Sequence, residues 1–266
     1  MKEEVQESLK DYFADLNSME EEIKPTHIYN MDEVGVFFEL SHNHTLDLKG
    51  KKIIGKFSSG KSKERVTVMV TACWDGTLLP PVLIFKTTRA KGDKERAYPK
   101  NEYAKLDKDT ESKLKAQGGM ALQNYTAWCT QRVMKEFYIP YFQRKASKKH
   151  MLIMDNFSAH SCDGTIESLE KKNINYLFLA PNTTPITQPV DISIGGTLKC
   201  KIKKYFEEWL IENNEKVLTF NNTKKKYQFL SPNRNQIVEW ILKAYSEIDR
   251  NLVIESRILS FYYIKL

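Results

Sequence analysis

Three aspartates stand where their carboxylates could bind catalytic metal ions. Asp32 and Asp155 come at, or just past, the end of apolar runs that predict strands, and Asp191 follows a proline-containing loop and opens a predicted helix. A carboxylate at a strand end is held firmly and is partly removed from water, so three that converge would bind hard divalent cations, which prefer oxygen ligands. Two such ions about 3.5–4 Å apart support the cutting and joining of phosphodiesters. The sequence therefore predicts a site for two Mg²⁺ or Mn²⁺ ions.

Each aspartate also has an ordinary structural interpretation. Asp32 could cap a turn, Asp155 with Asn156 is a common turn pair, and Asp191 could cap the N-terminus of a helix. These interpretations are weaker for the three together, because each residue borders a different element of one predicted sheet. Asp155 and Asp191 are 36 positions apart, an interval that holds a helix, a strand and a loop and returns the chain to the same end of the sheet. Asp32 is predicted to bridge both ions because its strand is predicted to be central, while each of the other two completes the shell of one ion.

Further candidates adjoin the predicted ligands. Glu33, Asn156 and His160 could orient the ligands through hydrogen bonds, although a structural role is favoured for His160. The predicted helix after Asp191 is basic, and beside a metal site it could hold a phosphate backbone; a solvated helix face is the other interpretation. Its lysines are Lys199, Lys201, Lys203 and Lys204.

The order of predicted elements indicates an α/β fold. Strands come first, then a strand and a helix alternate, then helices follow, which is typical of a mixed sheet flanked by helices. Strands are predicted at 27–40, 65–74, 81–86, 151–155 and 174–179, and helices at 124–143, 164–172, 192–212 and 233–249, with a helix or strand at 251–263.

Two segments stand apart from this pattern. Residues 1–25 predict an acidic N-terminal helix ended by a proline, and residues 26–266 a single catalytic domain. Within that domain, residues 87–118 form a charged insertion, predicted to be a mobile loop or a small clamp. Residues 41–64 are polar and lysine-rich and predict loops or a loose hairpin.

Composition limits the function classes. With 266 residues, 41% of them hydrophobic, the chain can bury a substantial core. A net charge of +7 favours a polyanionic partner without requiring one. The four cysteines are widely spaced, which argues against a zinc ribbon or a disulfide framework and predicts reduced, mostly buried thiols. There is no apolar run long enough for a membrane span and no signal peptide at the acidic N-terminus, so an intracellular protein is expected.

Four stretches resemble the DDE-superfamily transposases of the pogo, Tigger and jerky type. YNMDEVG at 29–35 resembles the family's first-aspartate motif, and 63–86 its central hairpin. LIMDN at 152–156, with Ser158 and His160, resembles the second-aspartate motif. LAPNTT at 179–184, followed by QPVD at 188–191, resembles the third.

The resemblance implies an RNase H-like fold in which Asp32, Asp155 and Asp191 form the catalytic set. In the family this set cleaves DNA at element ends and transfers the freed 3′-hydroxyl into a target. It also implies DNA as partner and a nuclear location, and it leaves a homodimer open. The family carries an N-terminal helix-turn-helix region, whereas about 25 residues precede the first predicted strand here. A domesticated, catalytically silent DNA-binding or chromatin-associated protein, or a fragment, therefore stays open as the alternative.

Overall fold

A computed structural model describes residues 3–38, 64–89, 97–146, 149–213, 218–221, 226–229 and 231–262. The lysine-rich stretch predicted as loops, residues 41–64, lies outside these ranges except for Glu64. The strands are β1 Ile28–Phe37, β2 Arg65–Cys73, β3 Leu78–Lys86, β4 Met120–Asn124, β5 Met151–Met154, β6 Asn175–Phe178, β7 Leu218–Asn221 and β8 Lys226–Phe229. The helices are α1 Glu3–Glu22, α2 Lys108–Ala116, α3 Ile139–Lys145, α4 Ser158–Ser161, α5 Asp163–Lys171, α6 Thr184–Thr187, α7 Gly195–Glu212, α8 Arg234–Ser246 and α9 Arg250–Tyr262.

A six-stranded mixed sheet places β1 near its centre. The strand order is β4-β3-β2-β1-β5-β6. β1 runs antiparallel to β2 and parallel to β5, and β6 continues parallel to β5. On the other side, β3 is antiparallel to β2 and parallel to β4; β7 and β8 form a separate hairpin. The predicted α/β fold with a mixed sheet flanked by helices is confirmed.

Side chains of the central strands alternate between two apolar layers, as the pleat of a strand requires. Val34 and Val36 point to one face, where Ile241 of α8 and residues of α7 cover them. Met31 points to the other face and packs with Tyr138, which lies in a π-helical turn before α3. Each fully buried aliphatic or aromatic side chain contributes about 1.5–3 kcal/mol. Packing on both faces therefore holds β1 firmly.

The acidic helix predicted within residues 1–25 is α1. Its buried face carries Leu9 and Leu16, which pack with Ile28 of β1 and Met151 of β5. The helix thus covers the start of the two strands that carry Asp32 and lead to Asp155. Nowhere in the described part of the chain does a helix combine the length and the apolar character needed to cross a membrane.

The helix predicted at 124–143 begins later than expected. Residues 120–124 form strand β4, and helical structure is reached only after residue 130. The Asn124 side chain accepts a hydrogen bond from the backbone N–H of Ala127 at 2.6 Å, and Ala127 has a φ of 60°. An Asn that bonds its own following backbone competes with helix formation. The helical spacing of the apolar residues did not reveal this turn.

The remaining helices follow the predictions closely. The chain is already helical from Val190, through a π-helical turn that leads into α7. The segment for which a helix or a strand was predicted, 251–263, is the helix α9. Within the charged insertion at 87–118, for which a mobile loop or a small clamp was predicted, the described residues include the helix α2. Asp107 caps this helix by accepting a hydrogen bond from the Thr110 N–H at 2.8 Å.

Two adjacent glycines at the start of α7 have different surroundings. A Cβ on Gly195 would lie 3.1 Å from Val34 Cγ2 and 3.2 Å from the Val190 carbonyl oxygen. A Cβ on Gly196 would meet nothing within 4 Å. Gly195 therefore allows α7 to approach β1 two residues beyond Asp32, whereas Gly196 has no packing role.

We predict that substitution by alanine changes the stability of the protein differently at these two glycines. Gly196→Ala should stabilise the protein by about 1 kcal/mol, because alanine favours a helix by that amount, and should raise the Tm by about 2 °C. Gly195→Ala should lose this gain to the crowding against Val34. Thermal unfolding of the two variants, followed by circular dichroism, checks the difference; a Gly195→Ala variant as stable as Gly196→Ala would contradict the close packing.

Candidate active site

Strand register places Asp32 beside Asp155. Asn30 of β1 lies opposite Ile153 of the parallel strand β5, so two residues further along each strand lead to Asp32 and Asp155. Asp155 directly follows β5, as predicted. The strand predicted at 27–40 corresponds to β1, which continues to Phe37 through pairing with β2. The interpretation of Asp32 as the end of a strand is therefore wrong.

The helical turn before α7 brings Asp191 to the same place. A side-chain hydrogen bond joins Asp32 and Asp191, and the charge of Asp155 acts on both. Asp191 does not cap the helix, since Pro189 holds that position. Asp155 was also interpreted as a turn residue, and it does accept a turn hydrogen bond, from the Phe157 N–H at 3.2 Å. The structure thus gathers three carboxyl groups from three different elements.

Burial and mutual repulsion disfavour the charge on Asp32. Its side chain lies on the α7 face of β1 and the residue is only 8% exposed. Burial raises its pKa to about 8, and the charges of Asp191 and Asp155 act in the same direction. Burial also raises the pKa of Asp191, although the hydrogen bond from Asp32 and the charge of Lys199 oppose it. An apposed cation would relieve this repulsion.

Asp155 has the opposite electrostatic environment because His160 lies against it. Burial would raise the pKa of Asp155, but the hydrogen bond and the positive charge of His160 outweigh it, so this pKa is lowered. The His160 Nδ1 lies 2.7 Å from Asp155 Oδ1, and its Nε2 lies 3.1 Å from Glu33 Oε1. Burial disfavours the charged imidazole, yet the two carboxylates raise its pKa to about 9. A structural role was favoured for His160, and the residue contacts Asp155, one of the predicted metal ligands, directly.

Glu33 and Asn156 contribute in different ways. Glu33 follows Asp32 in the strand and so points to the opposite face, where it meets His160. Asn156 donates a hydrogen bond from Nδ2 to the Leu179 carbonyl at 2.5 Å. Asn156 therefore fixes the chain after β6 rather than one of the carboxylates.

Two amides that the predictions omitted connect the aspartate-bearing segments. Asn30 Nδ2 donates to Gln188 Oε1 at 2.5 Å and to the Ile153 carbonyl at 3.3 Å. Gln188 Nε2 in turn donates to the Met31 carbonyl at 3.3 Å. Both side chains are buried at 1% exposure or less. They stand two and three residues before Asp32 and Asp191, and this position in the motif phrases was the only sequence signal of their role.

Cys129 was also missed. Its thiol, the Glu33 carboxylate and His160 each offer an atom within 4.8 Å of the other two. These residues are far apart in the sequence, and only the turn after β4 brings the cysteine to the back of the site.

The four lysines of α7 differ in their surroundings. Lys199 is close enough to Asp191 to influence its pKa. Lys201 forms an ion pair with Glu247 at 3.0 Å. Lys203 and Lys204 each lie 3.9 Å from a glutamate one helical turn further on. The ion pairs leave Lys199 as the lysine most directly associated with the carboxyl cluster.

The fold defines a structural class. The Mos1 strand transfer complex contains a chain that matches this one with a TM-score of 0.57 and 12% identity, over 100% of this chain and 61% of that one. The Mos1 mariner paired-end complex with Mn matches with a TM-score of 0.51 and 13% identity, over 100% and 62%. Likeness at such low identity concerns the fold alone, and the fold is RNase H-like.

The sequence then places the chain in a family. The profile of the DDE superfamily endonucleases matches residues 63–256, more than half of the chain, and the chain belongs to this family. It is 23% identical over 244 residues to a pogo transposable element with KRAB domain from Mus musculus, covering 88% of this chain and 36% of that protein. It is 26% identical over 219 residues to CENP-B homolog protein 2 of Schizosaccharomyces pombe, covering 81% and 38%. The chain thus spans little more than a third of the length of these relatives.

We predict that the buried amide pair supports both stability and site geometry. Gln188→Ala should lower the free energy of unfolding by about 1–3 kcal/mol, because it leaves the Asn30 amide without its buried acceptor. The double variant Asn30→Ala/Gln188→Ala should lose less than the sum of the single losses, with a coupling of at least about 0.5 kcal/mol. Urea unfolding measures both, with the exposed Gln117→Ala as the control expected within about 0.5 kcal/mol of the parent. Additive losses would contradict the contact.

We predict that Asp32 makes the stability of the metal-free protein depend on pH. The pKa of folded Asp32 is about 8, against about 4 in an unfolded chain. Between these values the folded state binds more protons, so the free energy of unfolding falls as the pH rises. Asp32→Asn removes this contribution, and its stability relative to the parent should increase between about pH 5 and 8, by at most about 1.4 kcal/mol per unit.

Chemical unfolding in EDTA at several pH values measures this difference. The exposed surface aspartate Asp109, which pairs with Lys113 on α2, provides the control. Asp109→Asn controls for the removal of one carboxylate from the protein. A difference between Asp32→Asn and the parent that stays constant with pH would contradict the burial of Asp32 among like charges.

Proposed function

We propose that this chain is the catalytic domain of a DNA transposase that uses Asp32, Asp155 and Asp191 to bind two Mg²⁺ or Mn²⁺ ions and to cleave and rejoin DNA strands. The observation that carries the proposal is the convergence of three carboxyl groups from β1, the residue that follows β5 and the π-helical turn before α7. Asp32 lies before the region that the family profile matches, so its role is argued from the geometry.

The donor chemistry of the cluster fits a hard divalent cation. All three side chains offer oxygen, and Mg²⁺ takes oxygen ligands in preference to others. Burial and the neighbouring carboxylates raise the pKa of Asp32 to about 8, the behaviour of a carboxyl group placed where a cation would neutralise it. A Mos1 structure with the same fold was solved with Mn, which supports the same metal class here.

The position of each residue determines its proposed role. Asp32, on the central strand, would be the ligand shared by both ions, and Asp155 and Asp191 would each hold one. When bound, the two ions would activate the attacking oxygen and stabilise the leaving oxygen. His160 keeps Asp155 ionised and oriented, while Asn30 and Gln188 hold the segments that carry Asp32 and Asp191. The carboxyl group of Asp32 must lose its proton for this site to form.

DNA is the proposed substrate and partner, and a nuclear location is part of the same proposal. The net charge of +7 favours a polyanion. Lys199 beside Asp191 would contact the phosphate backbone, and Lys201, Lys203 and Lys204 would add to this surface if DNA displaced their glutamate partners. The catalytically silent alternative has less support, because all three carboxyl groups are present and adjacent.

Nicking of supercoiled plasmid tests the proposal without requiring recognition of specific DNA ends. The purified chain should nick the plasmid with Mg²⁺ or Mn²⁺ and not in EDTA. Asp32→Asn, Asp155→Asn and Asp191→Asn should each lower the rate by about a thousandfold, since the metal ions supply several kcal/mol of transition-state stabilisation. Asp109→Asn on α2 is the matched control and should retain the parent rate.

Two results would contradict the proposal. Nicking at the parent rate by all three variants would show that another group, or a contaminating nuclease, is responsible. Salt-dependent DNA binding without cleavage under either metal would instead favour the catalytically silent alternative.

A further inference from the structure

We propose that Glu33, Cys129 and His160 form a zinc site on the opposite face of β1 from Asp32. Each residue offers one ligand atom within 4.8 Å of the other two. Cys129 and His160 are 2% and 1% exposed, and the side chain of Glu33 is 12% exposed. The cluster is therefore an enclosed group of three different metal-binding side chains, distinct from the all-carboxylate group.

The donor set selects zinc over the ions proposed for the aspartates. Thiolate and imidazole are preferred ligands of Zn²⁺, whereas Mg²⁺ takes oxygen. Zinc–ligand distances of about 2.0–2.3 Å place tetrahedral ligand atoms about 3.3–3.8 Å apart. The Glu33 Oε1 to His160 Nε2 distance of 3.1 Å is already close to this. The two separations that involve Cys129 are no more than 4.8 Å, so they would shorten by at most about 1.5 Å to reach this range. Three protein ligands leave a fourth position for water.

The second neighbour of His160 points independently to a metal. A zinc-bound histidine commonly donates its other ring N–H to a carboxylate, which fixes the ring and its tautomer. In this chain Asp155 Oδ1 lies 2.7 Å from His160 Nδ1, while Nε2 lies 3.1 Å from Glu33 Oε1. The Nδ1–H remains donated to Asp155 when a cation replaces the Nε2 proton, so the ring can bind the metal ion without rotating.

The segment that carries Cys129 is held in place by hydrogen bonds. Asn124 accepts from the Ala127 N–H at 2.6 Å and donates to the Trp128 carbonyl at 2.8 Å. Thr67 of β2 donates to the Ala127 carbonyl at 2.6 Å. The thiol is therefore positioned by the sheet and the following turn. This matters because a preorganised ligand loses less freedom on binding.

Charge balance agrees with a single divalent ion. A Glu33 carboxylate and a Cys129 thiolate carry two negative charges, and neutral His160 carries none. One Zn²⁺ balances these two ligand charges, and it replaces the positive charge that His160 presents to Asp155 when no metal is bound. Bound zinc would connect β1, the turn after β4 and α4. It would hold His160 against Asp155 without occupying the aspartates.

Metal binding to the purified, chelator-stripped chain tests this inference. One Zn²⁺ per chain should bind in a calorimetric titration in excess Mg²⁺. Co²⁺ in its place should give thiolate-to-cobalt charge-transfer absorption and the intense visible bands of a tetrahedral ion. Cys129→Ser and Glu33→Gln should each weaken binding by about 100-fold or more, since even outer partners of metal ligands are worth 10–100-fold.

Matched variants separate this site from other sites. Cys162→Ser, in the partly exposed thiol beside α5, should leave zinc and cobalt binding unchanged. Asp32→Asn and Asp191→Asn should also leave zinc and cobalt binding unchanged, because these residues belong to the other proposed metal site. This comparison is informative whether or not the chain cleaves DNA. Circular dichroism reports whether each variant is folded, and Glu33→Gln keeps the side-chain shape if Cys129→Ser does not fold.

Three results would overturn the inference. The parent chain could take up no zinc at micromolar concentration, in which case the cluster is only hydrogen-bonded. Cobalt could give the weak bands of a six-coordinate ion without thiolate absorption. Zinc binding could be lost in Asp32→Asn or Asp191→Asn and retained in Cys129→Ser and Glu33→Gln, which would assign it to the aspartates.

Discussion

A buried carboxyl group placed beside two others is costly, and the centre of this molecule is built around that constraint. Asp32 lies in the middle of β1, between β2 and β5, under the start of α7. Its burial and the charges of Asp191 and Asp155 oppose ionisation. A structure that only needed to fold would replace such a group with an apolar side chain, since the neighbouring positions Val34 and Met31 pack without electrostatic penalty. The arrangement is explicable when a cation completes it.

Two hydrogen-bonded groups hold the carboxyl groups in this unfavourable arrangement. Asn30 and Gln188 join β1 to β5 and to the segment before Asp191. On the opposite face, His160 joins Asp155 to Glu33. Because adjacent residues of a strand point to opposite faces, the Asp32-Glu33 pair serves both: Asp32 faces the carboxyl groups, and Glu33 faces the histidine and Cys129. One dipeptide on the central strand thus connects the two layers of the site.

The sequence predicted the sheet and most of its elements because their apolar patterns are strong. The short apolar run at 151–154 and the alternation in β2 could be recognised without tertiary information, and so could the aspartate at the end of β5. The strand predicted at 27–40 already contained Asp32, although Asp32 was also interpreted as ending an apolar run. Pairing with β2 shows that the strand continues beyond it to Phe37. Cys129 depends on a turn that Asn124 creates. Asn30 and Gln188 are uncharged amides whose partners lie more than 120 positions away, so their role could be seen only in three dimensions.

Direct observation of the proposed ions tests the central claim most sharply. Crystals of the chain soaked in MnCl₂ should show two anomalous-scattering peaks about 3.5–4 Å apart, with Asp32 bound to both ions and Asp155 and Asp191 each bound to one. Asp32→Asn crystals under the same conditions should lose at least one peak. The absence of manganese at the three aspartates in the parent crystals, with their carboxyl groups still hydrogen-bonded to one another, would contradict the account.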